Sequence, residues 1–353
     1  MNSWSLTPER LRRAKIAYST RRVRPELMTR VLLSPATPRA GDLVLAKVDK
    51  VGQHARVERP DGRKAMLLAD DEIVVCYGNR YAPDQFEAEV PGDLGPCQLV
   101  AGGGVAAIAL SRHGAMREPT AITPIGLVAD RDGGRLNVGD WALPLLSVPE
   151  RRPPTIAVAG TSMNSGKTTA AASLIRGLVR AGCKVGAAKV TGTGSGGDVW
   201  LMADSGAAPA LDFTLAGHPS TYRLALPELE AILETLTAHL AAADVDAIVL
   251  EVADGVYQRE TAALLASAAF RRQVHGVLFA AGEAVGAVAG VSRLRALGLE
   301  VLGATGVLTA SPLAAREAAA ALDVDVLDLA QLSDPERARG LLATCRPLSW
   351  QAA

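Results

Sequence analysis

Aromatic residues are scarce in this chain, 4% of 353, and its four cysteines (Cys76, Cys97, Cys183 and Cys345) stand far apart. No Cys-x-x-Cys pair and no histidine at metal-finger spacing accompanies them, which excludes a zinc-finger module and a disulfide framework and leaves reduced, mostly buried thiols. Net charge is missing as well. Lys+Arg and Asp+Glu both number 37, so no global field gathers nucleic acid or an anionic membrane surface, and a small-molecule substrate is the expected partner. No run of about eighteen apolar residues occurs, so no spanning helix is expected. A basic cluster near the N-terminus (Arg10, Arg12, Arg13, Lys15, Arg21, Arg22 and Arg24) is not followed by an apolar core long enough for a signal peptide. These absences predict a cytoplasmic protein without nucleic-acid or membrane partners, whose basic cluster forms a solvated amphipathic segment or an interface arm.

What is present is 49% hydrophobic and 21% charged residues, the balance of a soluble α/β protein. The length exceeds the usual single domain, which predicts two. After a basic segment over 1–40, short alternating runs such as Leu43–Val48 and Ile73–Tyr77 are punctuated by Pro60-Asp61-Gly62, Pro91-Gly92-Asp93 and Asp132-Gly133-Gly134. That spacing predicts a compact β-rich domain over 41–150, of small-barrel type. Arg151-Arg152-Pro153-Pro154 reads as a linker. From 155 onward buried strands alternate with helices, with strands expected at 184–190, 246–251, 275–281, 300–305 and 324–328 and helices near 167–181, 227–242, 258–269, 285–297 and 312–321. The fold class expected over 151–335 is therefore a mostly parallel P-loop α/β sheet flanked by helices, with a C-terminal tail over 336–353.

The most informative stretch runs from Ala157 to Thr169: a short apolar strand, then Gly160-Thr161-Ser162-Met163-Asn164-Ser165-Gly166-Lys167-Thr168-Thr169, then an Ala-rich helical pattern. A lysine at a helix start has no packing reason to be there, whereas in a phosphate-binding loop every part has a use. Glycines let backbone amides turn inward around phosphates, Lys167 places a point charge on the β/γ oxygens, Thr168 offers a hydroxyl to Mg²⁺, and the helix adds its positive dipole end. The candidate nucleotide-binding residues are Gly160, Thr161, Asn164, Ser165, Gly166, Lys167, Thr168 and Thr169. Five residues, rather than the common four, separate Gly160 from Gly166-Lys167.

Ligands in open parallel sheets collect at the carboxyl ends of strands, so charged residues there are singled out. Asp246–Leu250 is an apolar strand ending in Glu251, the leading Mg²⁺ carboxylate, with Asp254 three residues on as a weaker candidate. Lys184–Ala188 ends in Lys189, expected to neutralise charge during phosphoryl transfer. A glycine-rich, mobile loop over 191–197 follows, then Asp198, which either shares the metal or merely caps a helix. His218, Ser220 and Tyr222, in a polar loop, are candidate substrate contacts or a plain surface turn. In the first half, Tyr77–Tyr81 and Ser111–His113 are dense in side chains able to bind anions or stack, and read first as β-turns with satisfied polar groups.

Residues 155–330 resemble dethiobiotin synthetase and its P-loop relatives, a group that includes cobyrinic acid amide synthases. The longer loop is reproduced by Gly160-Thr161 and Gly166-Lys167-Thr168, the strand-end lysine looks like Lys189, the metal-binding aspartate like Asp198, and the strand-end glutamate like Glu251. The resemblance implies an ATP- and Mg²⁺-dependent ligase, in which an amine takes up CO₂, the carbamate attacks the γ-phosphate and a nearby nucleophile captures the activated carboxyl. Catalysis then rests on positioning and charge, with Lys167 and Lys189 as the catalytic cations. The chain departs at Val190, where the family has proline, at Val252-Ala253-Asp254-Gly255, which keeps one glycine, and at Thr305–Thr309, which lacks an adenine-reading asparagine. A homodimer is expected. Two further readings stay open: a P-loop acyl- or phosphotransferase acting on an amino acid, and a nucleotide-switched cofactor chaperone.

Overall fold

The computed structural model describes residues 3–33, 35–146 and 152–345. Arg151 of the expected linker and residues 346–353 of the expected tail lie outside the described residues. The chain divides into two units: Met1–Leu143 with Thr193–Gly197 and Phe213–Arg223, and Pro144–Gly192 with Asp198–Asp212 and Leu224–Ala353.

In the first unit, β1 (Ser3–Ser5), α1 (Pro8–Arg13), β2 (Lys15–Ile16) and β3 (Arg30–Leu32) precede β4 (Leu43–Lys50), β5 (Arg56–Glu58), β6 (Lys64–Met66), β7 (Glu72–Tyr77), β8 (Phe86–Glu89), β9 (Cys97–Ala101), β10 (Val105–Arg112) and β11 (Thr120–Ala129). Strand pairing closes on itself in the cycle β11, β4, β7, β10, β9 and back to β11, which makes a small barrel. Closure removes the open edges that a five-stranded sheet would otherwise expose.

Alternation along the strands is masked, because both faces of β4 and β7 are covered. Val44, Ala46, Val48, Ile73 and Val75 belong to one core cluster, while Leu43, Leu45, Val74 and Cys76 pack under Leu6, Leu11, Ala14, Val23 and Met28 of the N-terminal segment. Arg10, Lys15 and Arg21 of that segment are engaged within the unit, while Arg12, Arg13, Arg22 and Arg24 are exposed. Arg10 donates to both oxygens of Glu72 at 2.8 and 2.5 Å, Lys15 pairs with Asp71, and the Arg21 guanidinium lies 3.7 Å over the Tyr18 ring while donating to Thr214.

The second unit carries β12 (Thr155–Gly160), α2 (Lys167–Arg180), β13 (Val185–Lys189), α3 (Gly197–Asp204), β14 (Ala210–Asp212), α4 (Leu226–Ala242), β15 (Ala247–Glu251), α5 (Arg259–Ala266), α6 (Ala268–Gln273), β16 (Gly276–Ala280), α7 (Ala284–Ala296), β17 (Val301–Thr305), α8 (Pro312–Ala321), α9 (Leu329–Ser333) and α10 (Pro335–Thr344). The strands form one parallel sheet in the order β14-β13-β15-β12-β16-β17. β12 is buried along its whole length between β15 and β16, as expected of a central parallel strand. The apolar stripe of α2, with Ala170, Ala171, Leu174, Ile175 and Leu178, packs with Ile156, Val158 and Val249 of the sheet, at the spacing of one helix face.

The sequence expected a strand over 324–328. Only Val326 pairs there, as a single bridge to Ala304, because the segment is too polar to be buried on both sides. α10 was not expected as an element of the core. Its Ala338 is fully buried, and a Cβ on Gly177 of α2 would lie 2.3 Å from the Leu332 carbonyl and 2.8 Å from Ala338 Cβ, so glycine allows α9 and α10 their close approach to α2.

Candidate active site

The loop after β12 turns into α2 at Gly166, whose φ of +94° is a left-handed conformation open to glycine. α2 therefore starts at Lys167, with the free amides of its first turn at the carboxyl edge of the sheet. Lys167 is 5% exposed, and its ammonium donates to the Ser162 carbonyl at 2.6 Å. Burial lowers its pKa, while Glu251 and Asp254 act in the opposite direction. Ser162, Asn164 and Thr169 are exposed, whereas Ser165 is buried. Asn164 has a φ of +61°. Val256 of the loop after β15 donates its N–H to the Gly160 carbonyl, fixing that loop beside the start of the phosphate-type loop.

β15 lies between β12 and β13, with Glu251 in register with both Val158 and Lys189. Strand register alone thus brings the acid and the second lysine to one place. The Thr168 hydroxyl donates to Glu251 Oε1 at 2.9 Å. Glu251 is 2% exposed; burial raises its pKa against the pull of Lys189, and Asp198 raises it further. Lys189 is ion-paired with Asp198. Burial opposes the charge on Lys189, yet Asp198, Glu251 and Asp254 together hold its pKa above the ordinary lysine value. Lys167, Thr168, Lys189, Asp198, Glu251 and Asp254 are therefore one electrostatic cluster at the carboxyl ends of β13 and β15.

The candidates His218, Ser220 and Tyr222 group with the first unit. Ser220 is buried and bridges to Thr193. The Tyr222 hydroxyl donates to Glu87, and its ring lies 5.6 Å from that of Tyr81. Those contacts give Ser220 and Tyr222 a role in holding loops of that unit. The glycine-rich loop, expected to be mobile, is tied by hydrogen bonds: Gly194 donates to the Pro219 carbonyl and Gly196 to Glu58. Composition did not disclose these ties, because the partners are distant in sequence.

An Mg²⁺-bound nucleoside triphosphate fits the residues present. Glu251 Oε2 and Ser165 Oγ are buried without a hydrogen-bond partner, so a carboxylate oxygen and a hydroxyl are available where a cation and phosphate oxygens would lie. Among the described residues, no group of three His, Cys, Asp or Glu side chains could hold a metal ion alone. Mg²⁺ bound with a nucleotide takes one or two carboxylates and completes its shell with phosphate oxygens and water. Thr305 Oγ1, at the end of β17, is likewise buried and without a partner; nothing in the sequence pattern marked it.

No family model matches the chain, and no curated protein matches it. Among solved structures it is similar to the signal recognition particle receptor FtsY from Elizabethkingia anophelis at 15% identity, covering 58% of this chain and 60% of that one with a TM-score of 0.34. It is similar to the signal recognition particle 54 kDa protein from Aeropyrum pernix K1 in complex with GDP at 16% identity, covering 58% and 52% with a TM-score of 0.37. A nucleotide-binding protein in complex with ADP from Archaeoglobus fulgidus gives 13% identity over 52% and 86% with a TM-score of 0.36. The chain thus spans about six tenths of the length of the FtsY it matches. At these scores the likenesses carry no functional inference. Among the described residues no helix is long and apolar enough to cross a membrane.

Proposed function

We propose that the chain is an ATP- and Mg²⁺-dependent ligase that activates a carboxyl or carbamate group of a small metabolite by phosphoryl transfer. The observation that carries this reading is the convergence of two lysines, the buried Lys167 and the part-buried Lys189, with Thr168 and Glu251 at the carboxyl edge of the parallel sheet. One P-loop lysine suffices to cradle a triphosphate. A second, held charged by Asp198 of α3 and by Glu251 on the neighbouring strand, suits a reaction in which an anionic acceptor must approach an anionic γ-phosphate. The finer choice of a ligase rests on the resemblance of Gly160–Thr168, Lys189, Asp198 and Glu251 to dethiobiotin synthetase.

In this reading, the amides of the loop and of the first turn of α2 hold the β- and γ-phosphates. Lys167 leaves the Ser162 carbonyl to take a phosphate oxygen. Thr168 and Glu251 would hold an Mg²⁺ ion, with Asp198 near it, and that ion would supply positive charge toward the β/γ oxygens. Lys189 orients the acceptor carboxylate in line with the γ-phosphorus. These groups position and neutralise; none acts as a nucleophile.

The test is ADP release from Mg·ATP in the presence of amines with bicarbonate and of small carboxylates. Stimulation of ADP release by one acceptor class, with loss of the stimulation in Lys189→Ala, is the expected result. Acyl-CoA consumption without ADP would favour the acyltransferase, and slow, unstimulated hydrolysis would favour the nucleotide switch; either outcome would displace the ligase.

A further inference from the structure

Within the second unit, the loop after β15 carries an aspartate in a conformation that glycine adopts freely and other residues rarely do. Asp254 has a φ of +64° and is buried. Left-handed backbone costs free energy for a residue with a Cβ, and it persists where the surroundings over-determine it. Here they do so from both sides. The Val252 N–H donates to the Val158 carbonyl at 3.0 Å, and the Val256 N–H to the Gly160 carbonyl at 3.1 Å. The Ala253 carbonyl accepts from the Thr261 hydroxyl at 3.0 Å and from the Thr191 hydroxyl at 3.4 Å. Asp254 is thereby fixed against the strand that leads into the phosphate-type loop.

The residues on either side of Asp254 each lie beside one of the two site lysines. A Cβ on Gly192 would stand 2.9 Å from Lys189 Cε, 3.4 Å from its Nζ and 3.4 Å from Ala253 Cβ, so Ala253 and the Lys189 ammonium border the same point. A Cβ on Gly255 would stand 2.2 Å from the Thr161 carbonyl oxygen and 3.3 Å from Ser162 Cα, and the Ser162 carbonyl holds the Lys167 ammonium. Asp254 therefore sits between the two cations. Against the burial that disfavours both ammonium charges, it acts with Glu251 on Lys167 and with Asp198 and Glu251 on Lys189. A triphosphate has no use for this acid: phosphates are anionic, and a carboxylate between Lys167 and Lys189 opposes them.

What the arrangement fits is an acceptor that brings its own positive charge. In the proposed function the acceptor carboxylate lies on Lys189, and an acid beside that lysine suits an ammonium on the same molecule, through hydrogen bonds of the charge-assisted kind. We propose that Asp254 is a specificity-determining residue, which binds the ammonium of a small amino acid whose carboxylate Lys189 turns toward the γ-phosphorus. The inference rests on the ligase reading and narrows its acceptor to amino acids. The ammonium takes no part in the bond changes: a carboxylate oxygen bonds to the γ-phosphorus, the bond from that phosphorus to the β–γ bridging oxygen breaks, and ADP leaves with the electron pair. A plain carboxylate would add negative charge beside Asp254 without the ammonium that offsets it, which is how the site rejects it.

The test uses the full chain and follows ADP release from Mg·ATP with glycine, β-alanine, 4-aminobutyrate and glutamate. Each is set against the carboxylate that lacks its amine: acetate, propionate, butyrate and glutarate. At least one amino acid should stimulate release, with a kcat/KM about 30-fold or more above that of its amine-free match, as loss of a desolvated charge pair implies. Asp254→Asn keeps a residue that tolerates the left-handed backbone. It should raise KM for that amino acid by about 30-fold or more and leave kcat within about threefold, while calorimetry shows Mg·ATP bound no more weakly than in wild type. Should Asp254→Asn not fold, Asp254→Gly suits the φ of +64° and should give the same split. An amine-free carboxylate that stimulates as well as its amino acid, or stimulation only by an amine with bicarbonate, leaves the ligase standing and overturns the inference, as does a wild-type KM in Asp254→Asn. An upward shift of the Mg²⁺ midpoint in Asp254→Asn assigns the carboxylate to the cation and likewise overturns it. If no acceptor of any class stimulates protein that binds Mg·ATP, the ligase reading fails and the inference with it.

Discussion

The Thr168 hydroxyl donates to Glu251 Oε1 at 2.9 Å, joining the first turn of α2 to the carboxyl end of β15. The other oxygen of the same carboxylate is buried without a partner. In the proposed function this hydroxyl and carboxylate would supply two ligands of an octahedral Mg²⁺, with nucleotide oxygens and water completing the shell.

Lys167→Ala should remove one charge-assisted phosphate contact, costing about 2 kcal/mol in a partly desolvated site and so weakening Mg·ATP about 30-fold. Folding should be unaffected, because burial already disfavours the Lys167 charge in the ligand-free protein. Calorimetry on protein with an unchanged circular dichroism spectrum checks this; wild-type affinity would refute the loop assignment.

Glu251→Gln should stabilise the ligand-free protein at neutral and alkaline pH. Burial raises the folded-state pKa of Glu251 above its ordinary 4.5, so the folded protein holds this proton more tightly than the unfolded chain does. The favourable contribution is complete below pH 4.5 and is lost as pH climbs through the raised folded value. Thermal unfolding at pH 8 should thus favour the glutamine variant, with the difference shrinking in acid. Mg·ATP should raise the midpoint of the wild type by more than that of Glu251→Gln, which keeps the phosphate amides and Lys167 but loses the cation's carboxylate.

His54 should make stability fall in mild acid. Burial, and then the Arg80 guanidinium, lower its pKa from 6.5 to about 4, and the neutral ring faces Arg80 Nη1 at 3.2 Å through Nε2. The unfolded chain takes up this proton below pH 6.5 and the folded one does not, so stability declines as pH drops from 6.5 to about 4, by about 3 kcal/mol at most. Denaturant unfolding of His54→Gln should show a flatter profile across that window.

Gly177→Ala should lower the unfolding temperature of the second unit without touching the site. The added Cβ would meet the Leu332 carbonyl at 2.3 Å and Ala338, and overpacking of this kind costs about 1–3 kcal/mol. An unchanged midpoint would mean that α9 and α10 do not pack on α2 as described.

The strand, loop and helix from Thr155 to Arg180 were legible in the sequence, because glycine placement, the lysine at a helix start and the apolar runs are all local signals. Glu251 and Lys189 were legible for the same reason, as charges that end buried strands. Their register with each other follows from sheet order, which the alternation of elements suggests without fixing. The glycine-rich loop over 191–197 misled because composition reports backbone freedom and not the partners that remove it. Glu58 lies far from Ser195 in sequence, and nothing in Arg56-Val57-Glu58 marks it. The basic N-terminal segment reads as a solvated amphipathic segment or an interface arm; the pairing of Arg10 and Lys15 was not legible, since their acceptors Glu72 and Asp71 lie some 60 residues on, and the segment's apolar side chains cover a barrel face whose need for cover shows only in the unbroken run of β4.

The most direct measurement is a crystal structure with Mg²⁺ and a non-hydrolysable ATP analogue. The account predicts β- and γ-phosphates within the amides of 162–168, Lys167 moved from Ser162 onto a phosphate oxygen, and a cation at about 2.1 Å from Thr168 Oγ1 on the Glu251 side. Nucleotide bound elsewhere, or an empty loop at saturating analogue, would contradict it.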